Sequence, residues 1–356
     1  MADLQKARAV VDSFPDPETG RPLGAMEQVR AVQERDGRLA VEIALTSWAA
    51  PLRDETLAEL REVIAAQSDW EAEKVEVTAT ELDRPAEKLG QIGVTAKSVI
   101  AVGSGKGGVG KSTIAAAIAF GLRNAGAKVG LMDADVYGPS VPHLLGITER
   151  PTASDGKLQP IEAHGLRAIS MGLMVPAGEA VVWRGPMLHG AVTQMLRDTE
   201  WGDLDYLLID MPPGTGDIAL TLSQLLPLTG AVVVCTPQDV ALLDAVKAIA
   251  MFRKVKTPVL GVVENMSVFV CPECGVSHDI FGSGGARQKA AELGVPFLGT
   301  APINVDLRRR GDDGRMAEAY DDDAIAAPLL EITRNTVRRI IDRRGGAAAT
   351  PSLPVL

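Results

Sequence analysis

Gly105-Lys106-Gly107-Gly108-Val109-Gly110-Lys111-Ser112 fits the pattern G-x-x-x-x-G-K-[ST]. In such a loop the glycines let the backbone wrap around a phosphate and turn its N–H groups inward. The flanks supply the required context. An apolar run at 98–102 predicts a strand leading in, and the pattern at 111–125 predicts a helix leading out, whose unpaired N–H groups and dipole favour an anion. The expected nucleotide-binding residues are therefore Gly105, Lys106, Gly107, Gly108, Val109, Gly110, Lys111, Ser112 and Thr113. Lys111 should reach the β- and γ-phosphates, and Ser112 should ligate Mg²⁺.

Working outward, continuous apolar runs recur at 128–132, 166–171, 206–209, 231–235 and 259–263, as expected of strands buried on both faces of a parallel sheet. Helical patterns such as 111–125 and 239–255 separate several of them. The alternation predicts an α/β, doubly wound, mostly parallel sheet over 97–344. Ligands of such sheets sit beyond the carboxyl ends of the strands. Two runs end there in carboxylates. The run 128–132 leads into Asp133-Ala134-Asp135, and 206–209 leads into Asp210-Met211-Pro212-Pro213-Gly214. Asp210 is placed to hold the water shell of the metal, and Asp133 reads as a loop-ordering or Mg²⁺-shell carboxylate. The loop with Pro212, Pro213, Gly214 and Gly216 is suited to sensing a γ-phosphate.

Of the three cysteines, Cys271 and Cys274 form a C-x-x-C, five residues after Asn265-Met266 ends a strand. One such pair cannot fill a tetrahedral site, so further ligands must come from elsewhere, His278 being one candidate. Iron–sulfur cluster, structural zinc and redox dithiol all remain open on spacing alone. Cys235, inside an apolar run, reads as a small buried hydrophobe.

Residues 1–82 read as a small α+β unit. An opening helix ends at Pro15-Asp16-Pro17, strands are expected at 37–46 and 74–80, and a helix at 51–66. This stretch has no His or Cys, so it offers no evident metal site. Residues 83–96 lack periodicity and read as a linker, and 345–356 read as a disordered tail. The segment 329–344 places Arg334, Arg338, Arg339, Arg343 and Arg344 beside Ile332, Val337, Ile340 and Ile341. It reads either as a surface-binding helix or as a last helix packed on the sheet. The net charge of −10 argues against nonspecific nucleic acid or anionic lipid as a partner. Few cysteines, no apolar leader and no run long enough to span a membrane predict a cytoplasmic protein.

The loop GKGGVGKST resembles the deviant Walker A motif of the superfamily that includes the nitrogenase iron protein, MinD/ParA and arsenical-pump ATPases. That resemblance implies that Lys106 crosses to the partner's nucleotide phosphates in an ATP-sandwich homodimer, and that Asp135 positions the attacking water. Asp133 to Gly146 (DADVYGPSVPHLLG), DMPPGTGD from Asp210 and ENMSVFVCPECGVSHDIFGSGGA from Glu264 are similar to the Mrp/ApbC-type branch. Members of that branch are iron–sulfur cluster carriers that use ATP. Membership implies a 4Fe-4S cluster shared by Cys271 and Cys274 of two chains, passage of the cluster to apo-proteins and contact with assembly scaffold proteins. It also implies that Asn265 contacts the adenine. The catalytic set is then Lys106, Lys111 and Asp135, with Ser112, Asp133 and Asp210 around magnesium. A zinc-clasped dimer and a ParA/MinD-like positioning ATPase are the alternatives. Residues 1–82 resemble the small iron–sulfur assembly domain on Asp16-Pro17-Glu18-Thr19-Gly20 and on 46–52. Ala50 stands where that domain family commonly has cysteine, which points to docking or regulation rather than cluster handling.

Overall fold

The computed structural model describes residues 4–174, 185–214, 216–271 and 273–346. They fall into two compact units. One holds the described residues through Pro85 together with those from Val337, and the other is Ala86–Thr336.

The first unit contains α1 (Leu4–Ser13), β1 (Val29–Arg35), β2 (Arg38–Leu45), α2 (Arg53–Gln67) and β3 (Val75–Glu81). Strand β2 is central, antiparallel to β1 and parallel to β3. Leu39, Val41, Ile43 and Leu45 alternate inward, and the helices bury Val10, Val11, Leu60 and Ile64. Strand β1 was not expected. Its side chains are only half-buried or exposed, so the two-residue period is weak. The turn that makes the hairpin was nevertheless written in the sequence: Asp36-Gly37, both left-handed at φ 51° and 74°. Asp16 is buried and satisfied by Thr19, Gln28 and Arg84.

The second unit is built on β4 (Val94–Gly103), β5 (Val129–Asp133), β6 (Leu166–Ser170), β7 (Leu204–Asp210), β8 (Gly230–Cys235), β9 (Val259–Val270) and β10 (Phe297–Ile303). Their order across the sheet is β10-β9-β8-β4-β7-β5-β6, every neighbouring pair parallel. Short antiparallel strands at Lys88–Leu89, Ile161–Ala163 and Ser277–His278 pair with β4, β6 and β9. This is the expected doubly wound, mostly parallel architecture. Its longer helices are α3 (Lys111–Asn124), α4 (Gly185–Asp198), α5 (Gly216–Leu225), α6 (Asp239–Lys254), α7 (Gly285–Glu292) and α8 (Val305–Asp312). Strands β5, β7 and β8 are buried at every residue, which is why they read as unbroken apolar runs.

Four stretches differ from expectation. Part of 83–96 is strand: β4 starts at Val94, and Lys88–Leu89 pairs back onto it through a turn with Gly90 at φ 61°. Strand β9 does not stop at Asn265-Met266 but runs on to Val270, because Phe269 and Val270 pair with His278 and Ser277. Strand β10 carries Gly299 and Pro302, which mask its period. The last helix, α9 (Asp323–Gly346), includes Gly345 and Gly346 of the expected tail; residues 347–356 lie outside the described ones. Ile332, Val337 and Ile340 on α9 are buried, so that apolar face is not offered to a surface.

Candidate functional site

The phosphate loop joins β4 to α3, and the register of the sheet brings the other groups to it. Val102 pairs with Asp210, Asp210 with Asp133, and Asp133 with Ser170, so four neighbouring strands present these residues in one row. Within the loop, Gly108 and Gly110 are left-handed at φ 80° and 77°. Lys111, only 6% exposed, lies at its base. Its ammonium donates to Asp210 Oδ1 at 2.5 Å and to Ser112 Oγ at 3.3 Å, and sits 3.6 Å from Asp135 Oδ2. The cation is thus neutralised by carboxylates from two strand ends.

The other oxygen of Asp210, Oδ2, is buried with no partner among the described residues. A buried acceptor left unpaired is costly, and the donors of a hydrated cation would satisfy it. Asp133 is engaged otherwise. It accepts the N–H of Asp135 at 3.0 Å, the N–H of Val141 at 3.2 Å and the hydroxyl of Ser170 at 3.0 Å. These bonds order the loop after β5. Asp135 Oδ1 in turn accepts from the N–H groups of Tyr137 and Gly138, which turns its other oxygen toward Lys111. Burial, with the charge of Asp210 adding to it, pushes the Asp133 carboxyl up to about 7 against those donors and Lys111. Burial also raises Asp210, opposed by the Lys111 ammonium.

Lys106 is half-buried within the loop, and its ammonium forms no ion pair among the described residues. Gly214 N–H donates to Ser104 O at 2.9 Å, closing the loop after β7 onto the phosphate loop. A cavity of about 740 Å³ opens behind these two loops, lined by Gly103, Gly105, Met211, Lys247 and Met251. Lys111 and Ser112 do not line it, so it is not the phosphate cradle. Asn265 flanks the cradle instead: its amide donates to the Val109 carbonyl at 2.9 Å.

The cysteine pair follows β9 directly. Cys271 N–H donates to Val276 O at 3.0 Å and Gly275 N–H to Cys271 O at 2.8 Å, with Gly275 left-handed at φ 70°. The turn aims the backbone N–H groups of Cys274 and Glu273 at the Cys271 sulfur and holds that thiol below its ordinary range. Donors aimed at sulfur stabilise a thiolate, the form that binds metal. Cys235 is the opposite case: burial, with Glu264 nearby, pushes its thiol up to about 12. Among the described residues no group of three or more His, Cys, Asp or Glu side chains can hold a metal, so His278 does not complete the set. Its ring stacks on Phe269. Sequence reasoning missed Ser170, which steadies Asp133, and Glu264, a fully buried carboxylate at the point where β9 passes the site. The only signal for Glu264 was a charge inside an apolar run.

Three comparisons bear on this arrangement. Residues 95–337 match the family model of the NUBPL iron-transfer P-loop NTPases, and residues 4–77 match that of an iron–sulfur cluster assembly protein. The chain is 46% identical over 343 residues to a Deinococcus radiodurans protein called an iron–sulfur cluster carrier, covering 96% of each chain. Among solved structures it resembles a nucleotide-binding protein from Archaeoglobus fulgidus, in complex with ADP, at 42% identity and a TM-score of 0.56. That match covers 63% of this chain and 88% of the other. The cell-division ATPase MinD of Pyrococcus furiosus, at 20% identity and a TM-score of 0.50 over 67% and 97% of the two chains, shares the fold. No helix among the described residues is long and apolar enough to cross a membrane. With a phosphate loop, two strand-end carboxylates and a family model over most of its length, the chain belongs to the NUBPL iron-transfer P-loop NTPases.

Proposed function

We propose that the protein is an ATP-dependent iron–sulfur cluster carrier, holding a four-iron cluster between two copies of itself and passing it to apo-proteins. The observation that carries this reading is the turn at Cys271 and Cys274, which presents two cysteines with no third ligand among the described residues, directly after a strand that also touches the phosphate loop. Two such pairs supply the four thiolates of a cluster. The name of the Deinococcus radiodurans relative and the ADP of the Archaeoglobus fulgidus protein support the two halves of the proposal.

In this reading Gly105 to Thr113 cradle the phosphates, and Lys111 leaves Asp210 for the β- and γ-phosphates. Ser112 and the free oxygen of Asp210 fit a hydrated Mg²⁺, which neutralises phosphate charge. Asp133 holds the loop that carries Asp135, and Asp135 orients the water. Asn265, bonded to the phosphate loop, is assigned to the adenine. Lys106, with no ion pair among the described residues, is available to a partner's phosphates, so hydrolysis is slow until two copies meet. The unit matching the assembly-protein model serves for docking to scaffold proteins or recipients rather than for ligation, since Ala50 removes the cysteine common there. Thiol ligands of this kind belong to a reducing compartment such as the cytoplasm.

Anaerobic reconstitution with iron and sulfide, followed by iron, sulfide and nucleotide analysis, tests the proposal. About four irons per dimer, lost in Cys271→Ala and in Cys274→Ala, is the expected result. About one zinc per dimer and no iron would instead make the pair a structural clasp and sink the carrier reading.

A further inference from the structure

Consecutive residues of β9 touch both halves of the site. Asn265 donates from Nδ2 to the Val109 carbonyl in the phosphate loop at 2.9 Å. The approach is close: a Cβ on Gly110 would lie 2.1 Å from that nitrogen. Glu264, fully buried, accepts on Oε1 from the N–H of Gly284 at 3.0 Å and on Oε2 from the N–H of Ala286 at 2.8 Å. Those two N–H groups open α7, where a helix has unpaired donors and a positive dipole end.

Gly284 and Ala286 also end the loop that carries Cys271 and Cys274. The other end of that loop is β9 itself, which continues through Val270 into Cys271. One strand therefore fixes both ends of the cysteine loop, covalently at Cys271 and through the Glu264 carboxylate at 284–286. Between these points β9 is irregular. Met266 is left-handed at φ 56°, and the pairing with β10 slips between Asn265 and Phe269. A non-glycine residue seldom adopts that conformation, so the strand is irregular where the two contacts meet.

We propose that Glu264 is a positioning residue which, with Asn265, couples the phosphate loop to the cysteine pair, so that metal affinity at Cys271 and Cys274 depends on the bound nucleotide. The proposal rests on the metal-binding reading of that pair. Phosphates draw the loop's N–H groups toward themselves, and the peptide whose carbonyl receives Asn265 belongs to that loop. A shift of the Val109 carbonyl moves Asn265, and its covalent neighbour then moves the base of the cysteine loop. Both carboxylate oxygens of Glu264 are taken by the Gly284 and Ala286 N–H groups, so it acts through the start of α7. Linkage makes the coupling reciprocal: metal must change nucleotide affinity by the factor by which nucleotide changes metal affinity.

The test uses Co²⁺, whose thiolate absorption reports ligation by cysteine, added stepwise to reduced full-length protein with either Mg-ADP or a non-hydrolysable Mg-ATP analogue. The expected outcome is dissociation constants that differ at least about fivefold between the two states, the low end of usual couplings. Glu264→Gln sets an NH₂ group against one of the two N–H donors. It should bring that ratio to within about twofold of one, with nucleotide affinity in the absence of metal unchanged. A wild-type ratio of one, or an unchanged ratio in Glu264→Gln, overturns the coupling. If Glu264→Gln does not fold, the wild-type protein decides alone: analogue affinity must shift on adding Co²⁺ by the reciprocal factor, and no shift overturns the proposal. Cys271→Ser separates the two ways of failing. A cobalt–thiolate band that survives it refutes the metal-binding reading itself, whereas loss of the band with a wild-type ratio of one refutes only the coupling.

Discussion

Three glycines of one loop are predicted to tolerate alanine to very different degrees, because different forces exclude a side chain at each. At Gly105 the backbone is not left-handed, but an added Cβ would lie 2.1 Å from the carbonyl oxygen of Asp244 and 2.2 Å from its carbon. Something must retreat by roughly 1 Å, and the obstacle is the backbone of α6, which buries Ala245, Ala248, Ile249 and Phe252. Overpacking against an anchored helix should cost about 3 kcal/mol or more. At Gly108 nothing lies within 4 Å, yet φ is 80°, so Gly108→Ala should cost only the left-handed penalty of about 1–2 kcal/mol. Gly107 has neither problem, its nearest neighbour being Pro213 Cγ at 3.9 Å. Gly107→Ala should be neutral, or stabilising by up to about 1 kcal/mol through the unfolded chain. Hydrogen exchange of the β4 and α6 amides, measured peptide by peptide without nucleotide, reads these costs in this unit alone. Gly105→Ala exchanging like Gly107→Ala would refute the reasoning, since it would mean that α6 does not press on the loop.

Other outcomes follow from the same geometry. Lys111→Ala should abolish binding of a fluorescent ATP analogue; retained binding would remove Lys111 from the phosphate site. Alkylation should separate the thiols by pH. A lowered pKa means more thiolate at neutral pH, so Cys271 should react below the ordinary thiol range, while Cys235, raised to about 12, should stay unmodified below about pH 10 in the native protein. Peptide mapping after iodoacetamide at a series of pH values checks both. Arg344 lies 4.5 Å above the Trp48 ring and donates to the Glu18 carbonyl, so Arg344→Ala should destabilise its unit by about 1–2 kcal/mol. Arg338→Ala should cost under about 1 kcal/mol, because its pair with Glu55 is exposed; equal losses in urea unfolding would contradict the distinction.

The parallel sheet was legible because burial on both faces leaves an unbroken apolar run, as in β5, β7 and β8. The phosphate loop was legible because its chemistry is local: glycines, a lysine and a helix start within eight residues. What escaped reading depends on which segment pairs with which. Strand β9 gains its last residues from a two-residue strand at Ser277–His278, and β1 exists as half of a hairpin whose side chains lack a buried face. Glu264 shows the same limit within the site. A carboxylate in an apolar run predicts nothing until the fold brings the start of α7, twenty residues on, against it. The cysteine pair lies between these cases, since its spacing left cluster, zinc and redox dithiol open and did not say whether a third ligand would join it.

On the proposed reading, the carboxyl edge of the sheet carries two half-sites. The cysteine turn has two sulfurs where four are needed, and the phosphate loop has a lysine, Lys106, that forms no ion pair among the described residues. Around the sulfurs Val270, Val276, Ile280 and Phe281 are exposed apolar side chains, unlike the buried core of the same unit. If one association between copies completes both half-sites, nucleotide and cluster each bind the dimer better than the monomer. Each must then raise the other's apparent affinity by mass action, even with no change of shape within a chain. That contribution depends on protein concentration, whereas a coupling through Glu264 and Asn265 does not. Measuring the cobalt-affinity ratio over a hundredfold range of protein concentration therefore divides the two. A ratio that collapses toward one once the protein is wholly dimeric assigns the linkage to association, and a ratio that persists assigns it to strand β9.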